Sequence, residues 1–182
     1  LQSLTWGRKS DWIPTFCGTA GSLAVEGMLL APVGERGFLY QLTVRSTSDK
    51  PLSSTFGLEG CWASAWHCVN EDKEIDGARR CYTSLWNDSL IFDMRCGLPL
   101  FAFAPMMDQP CSSTFQETDA GIVYRLAHAC TLEPGEAVTV TFYWGVGFEE
   151  VAAATSAKEM LRQGWQHELQ VTTDWLDARR WP

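Results

Sequence analysis

The chain has 182 residues, a net charge of −8, 46% hydrophobic residues and nine tryptophans, enough to bury a core without metal or disulfides and too apolar for disorder. With no Lys/Arg cluster, that acidity argues against a nucleic-acid partner, whose phosphates need a basic face. The most apolar stretch, Gly97 to Met107, has about half the roughly 20 residues of a membrane helix and holds two prolines, so no membrane partner is expected.

In chain order, a short strand is predicted over Leu23–Leu30. The clearest one follows at Phe38–Arg45, where Phe38, Tyr40, Leu42 and Val44 alternate with Gln41, Thr43 and Arg45. Ser46 to Pro51 supplies a turn, and a further strand runs through Ser53, Thr55 and Leu58. Cys61 to Trp86 places Trp62, Trp66 and Trp86 around a charged centre, Glu71 to Arg80, which reads as a solvated loop. Short strands are expected at Ser89–Cys96 and Leu98–Ala104. A longer one covers Ile122–Cys130, the turn Glu133-Pro134-Gly135-Glu136 reverses the chain, and Ala137–Val146 returns with Val138, Val140, Phe142 and Trp144 on one face.

From Phe148 the texture changes. Glu149 and Glu150 suit a helix N-terminus, an alanine-rich run follows, and Leu161, Trp165, Leu169, Thr172 and Leu176 recur at helical spacing. Gly164 marks a kink or a break between two helices, and Trp144-Gly145-Val146-Gly147 reads as a hinge rather than a phosphate loop. The fold class is therefore mainly β, an antiparallel β-sandwich followed by a C-terminal helical segment. The sandwich is expected over residues 1–147 and the helical linker or tail over 148–182.

Chemistry is sparse. The chain has no nucleophile elbow, Walker loop or H-E-x-x-H. Its seven cysteines are odd in number and form no C-x-x-C, and the three histidines are scattered, so neither zinc nor another cofactor is expected. Reduced, mostly buried thiols are the simpler reading. With no visible leader, that slightly favours the cytoplasm, although Asn87-Asp88-Ser89 is a formal glycosylation sequon. Glu59, between Gly57 and Gly60 at a strand end, is the most tempting single carboxylate. Trp62, Trp66, Tyr82 and Trp86 are candidates for a carbohydrate-binding platform, because aromatic faces stack on sugar rings. Filling the space between two sheets is the competing use. Trp165, Trp175, Leu176 and Trp181 put apolar residues on more than one side of the tail, marking it for docking on a further domain or a partner subunit.

Ala31 to Phe38 runs into the strand and turn Tyr40 to Pro51; Leu132 to Glu136 leads to the last strand; and a helical linker ends on Thr172 to Arg179. This order, with its sheet-to-helix switch near Gly147, resembles the N-terminal β-sandwich (a supersandwich-like fold) and linker of six-hairpin glycoside hydrolases and phosphorylases. Those are enzymes of the glucoamylase, maltose-phosphorylase and debranching type. The resemblance implies a non-catalytic domain of a larger carbohydrate-active enzyme. Its partner would be a catalytic (α/α)6 domain in cis or on another subunit, with oligo- or polysaccharide as substrate. The catalytic carboxylates would lie in that barrel, so no catalytic residue is assigned in this chain. A self-contained carbohydrate-binding or protein-interaction sandwich is the alternative.

Overall fold

The computed structural model describes residues 2–63, 66–68, 72–74, 78–85, 89–95 and 101–179. Among the described residues, thirteen strands precede two helices. In chain order they are β1 (Gln2–Lys9), β2 (Ile13–Ala20), β3 (Leu23–Leu30), β4 (Gly37–Ser46), β5 (Leu52–Trp62), β6 (Trp66–Cys68), β7 (Asp72–Glu74), β8 (Ala78–Thr83), β9 (Leu90–Arg95), β10 (Phe101–Met107), β11 (Ser112–Thr118), β12 (Gly121–Leu132), β13 (Ala137–Gly147), α1 (Glu150–Gln163) and α2 (Trp165–Asp177). Eight strands form one antiparallel sheet in the order β1-β2-β3-β4-β13-β10-β9-β8. Three form a second, β11-β12-β5, and β6 and β7 make a separate hairpin. The chain is thus mainly β, with antiparallel sheets and two C-terminal helices.

The alternation in β4 and β13 decides what each face of the large sheet meets. Val44, Val140 and Phe142 point inward and pack on Phe56, Leu126 and Leu132 of the small sheet. Toward β8 the same interior continues as Leu90, Phe92, Ile122 and Tyr124. Leu39 and Tyr143, one step along the same strands, point outward and are buried by Met160 and Leu169 of the helices. The molecule therefore has three layers: small sheet, large sheet and a helical pair.

Small residues set the outer interface. Ala153, Ala154 and Ala157 of α1 are buried against Ile91, Ala102 and Ala104. A Cβ on Gly145 would overlap the Ala153 carbonyl oxygen, and one on Gly147 would stand 2.6 Å from the Ala153 nitrogen. The stretch read as a hinge is a contact surface, because only glycine lets this helix approach so closely. Gly164, at φ +83°, is where α1 stops and α2 starts. Its N–H donates to the Met160 carbonyl at 2.9 Å, and its own carbonyl accepts from Glu168 at 3.2 Å.

Other elements depart from expectation. Within the charged centre expected to be a solvated loop, the described residues include the strand β7 and the start of β8. β8 pairs with β9 through Cys81↔Phe92 and Tyr82↔Ile91, and an Arg80–Asp93 ion pair at 2.5 Å crosses between them, so charge on this strand is absorbed by its partner. β10 runs through Pro105 because its pairing with β9 covers only Phe101 to Phe103. Beyond that β10 pairs with β13 alone, Pro105 standing opposite Trp144, and the missing N–H costs no bond to β9. β1 and β11, sheet-edge strands exposed along their whole length, carry no buried face for periodicity to reveal. In the β1–β2 turn Ser10 and Asp11 take φ +49° and +63°.

Candidate functional site

Of the four nominated aromatics, the two with described side chains, Trp62 and Tyr82, do not share one surface. Trp62 ends β5 opposite Ile122, and its ring lies 5.7 Å from Phe92 and 5.4 Å, edge-on, from Phe103. It fills space between the sheets. Tyr82 sits on the opposite face of the large sheet, because its neighbour Cys81 belongs to the interior cluster while Tyr82 packs toward Ile91 and the α1 alanines. Its hydroxyl donates to the Glu150 carboxylate in the first turn of α1, and the Arg80 guanidinium lies 5.6 Å from its ring centre. Burial, then the bond to Glu150, pushes its phenol well above the usual range. Tyr82 thus ties the start of α1 to the sheet edge. Trp66 faces Glu74 in the β6–β7 hairpin; its side chain, and Trp86 with its neighbouring sequon residues Asn87 and Asp88, lie outside the described residues.

The tail aromatics divide as well. Trp165 and Leu176 pack on the outer cluster of Ile13, Met28, Leu30, Leu39 and Tyr143. Trp175 is 40% exposed, with the Arg179 guanidinium 4.0 Å from its ring centre. Val171, one turn earlier, is equally exposed, and Phe148 and Val151 are more so. Trp181 lies outside the described residues.

Glu59 takes an outward position on β5 and stands opposite Arg125 of β12. Opposite charges at paired strand positions are an ordinary surface arrangement. Its main chain borders a cleft of about 420 Å³ lined by Leu29, Phe38, Tyr40, Leu58, Phe142 and Trp144. Phe38 and Trp144 stack there at 5.2 Å, and Phe38 keeps 39% of its surface exposed. The cleft exists because three strands do not cover eight. Sequence reasoning placed both rings on buried faces; alternation shows which face a residue joins, not how far the opposing sheet reaches.

Of the cysteines with described side chains, Cys17, Cys61 and Cys111 are exposed free thiols, and Cys81 and Cys130 are half-buried. The mostly buried set expected from their number is not seen. Burial, helped by Glu117, pushes the Cys81 thiol up to about 12, so it is no nucleophile at neutral pH.

No family model and no curated protein sequence matches the chain. Solved structures do match. A protein described as a kojibiose phosphorylase from human microbiome superimposes over 91% of this chain and 23% of its own, with a TM-score of 0.64 and 11% identity. A bacterial glucoamylase complexed with acarbose matches over 98% of this chain and 28% of its own, at 0.53 and 8%. At such identities the likeness is one of fold. The chain spans about a quarter of the length of either structure.

Proposed function

We propose that this chain is a non-catalytic β-sandwich domain of a larger carbohydrate-active enzyme, a glycoside hydrolase or phosphorylase, and that it supports the catalytic domain. One observation carries the reading. Nearly the whole chain, 91% and 98% of it, follows a piece that makes up only 23% and 28% of two enzymes named for sugar chemistry. Fold likeness alone does not transfer activity, so the site residues matter. Among those described, the nominated carboxylate Glu59 sits on an open strand surface, and the aromatics Trp62 and Tyr82 serve packing and helix anchoring. The exposed apolar side chains of the helical layer, Phe148, Val151, Val171 and Trp175, then form the surface that the catalytic domain covers. Patches of this kind mark interaction sites.

The test is direct. The purified 182-residue chain is incubated with kojibiose, with and without inorganic phosphate, and with soluble starch, and released glucose and glucose 1-phosphate are followed. The expected result is no turnover; release of either product, removed by no inhibitor of contaminating enzymes, would overturn the proposal.

A further inference from the structure

Beside the helical pair, the outer face of the large sheet carries a shelf of mixed apolar and hydrogen-bonding side chains that the proposed supporting role leaves unused. Its floor is built by register. Thr15, Met28 and Gln41 lie side by side across β2, β3 and β4, and the next row is Cys17, Glu26 and Thr43, with Thr139 of β13 beside Thr43 at the margin. Trp165 and Leu169 of α2 form one wall of an open recess of about 460 Å³, inside the ~300–1,000 Å³ range of small-molecule sites.

We infer that this shelf binds a neutral saccharide. Three features select that chemistry. First, the floor is already fixed: Gln41 donates from Nε2 to the Thr43 hydroxyl at 2.6 Å, Thr43 bonds Thr139 at 2.9 Å, and Gln41 is only 8% exposed. A row of preset hydroxyl and amide groups matches a ligand whose own edge is hydroxyls, since each loses water and regains a partner. Second, Lys9 and Glu26 both border the space, so its formal charge cancels. A phosphate or carboxylate ligand calls for clustered cations instead. Third, the half-buried Trp165 lines the recess, and an indole ring suits the C–H face of a sugar ring. The class of ligand rests on the carbohydrate reading above; the place and the residues rest on the sheet register and the shelf itself.

Two-dimensional amide NMR of the 182-residue chain, titrated with kojibiose and separately with maltotriose, tests this. Saturable shifts are expected at the Gln41, Thr43 and Thr139 amides and the Trp165 indole, with affinity in the millimolar range typical of a shallow site. Thr43→Val removes one hydroxyl at nearly constant volume and weakens binding by about fivefold, the worth of one hydrogen bond. Glu26→Gln, at an exposed position, gives a second variant should Thr43→Val fail to fold. No saturable shift with either sugar, shifts that map elsewhere, or unchanged affinity in a folded variant would each overturn the site. Turnover of sugar by the chain strikes the proposed function, whereas absent binding strikes only the shelf.

Discussion

The inner face of the eight-stranded sheet and the part of its outer face under α1 are buried by opposite means. The inner face uses large interlocking rings: Phe92 and Tyr124 meet edge-on at 4.6 Å, and Tyr124 meets Trp144 at 5.8 Å. The outer face uses the absence of side chains, with alanines of α1 set on Gly145 and Gly147. Rings gain by buried area, while glycine and alanine gain by letting two backbones approach. The first interface fails when something is removed and the second when something is added.

Removal on the inner face is expected to cost most. Phe92→Ala leaves a cavity beside Trp62 and Tyr124 and lowers stability by about 4 kcal/mol, read by urea denaturation. Addition on the outer face follows closely: Gly145→Ala drives a methyl into the α1 backbone and costs about 3 kcal/mol. The contrast breaks if Gly145→Ala is neutral, for then α1 is not seated on the glycines. Tyr82→Phe removes the hydrogen bond to Glu150 and costs about 1 kcal/mol. Its loss should show as faster amide exchange in the first turn of α1.

Glu168 sharpens the comparison through pH. It is a buried carboxyl on α2, 4% exposed. Burial and then Glu35 push its pKa above the ordinary value, Glu159 adds to this, and His167 opposes it. A carboxyl whose folded pKa is raised holds its proton longer in the folded state. Its ionisation therefore costs stability as pH rises above the ordinary carboxylate range and through the folded pKa. Glu168→Gln should gain stability at pH 7, by under about 1 kcal/mol, and lose that gain at pH 4. A gain equal at both pH values would show that the charge is not the cause. Smallest of all, Trp175→Ala should change stability by under about 0.5 kcal/mol, because the residue is 40% exposed and its ring meets Arg179 on the surface.

Much of this division is written in the sequence, and its limits are physical. β4, β12 and β13 are legible because one face of each is buried and the alternation is strong. The helical stripe Leu161, Trp165, Leu169, Thr172 and Leu176 is the one that meets the sheet or its bordering loop, where Thr172 Oγ1 accepts from the Val33 N–H at 3.2 Å. The break at Gly164 is legible from glycine alone. β1, β8 and β11 are not, since exposed or charged strands lack the alternating signal. Trp62 and Tyr82 stay apart for a topological reason: they lie in different sheets and reach opposite faces, which linear spacing does not reveal. The glycines before α1 were misread because a close approach needs its partner helix to be recognised.

The central claim is that this sandwich and its helical layer serve a larger enzyme. Sequencing the transcript beyond the codon for Pro182 tests it most directly. The account predicts an open reading frame that continues for several hundred residues rich in helical periodicity and holds paired carboxylates for glycoside chemistry. A stop codon directly after Pro182, in a chain that purifies alone with no partner subunit, would contradict it.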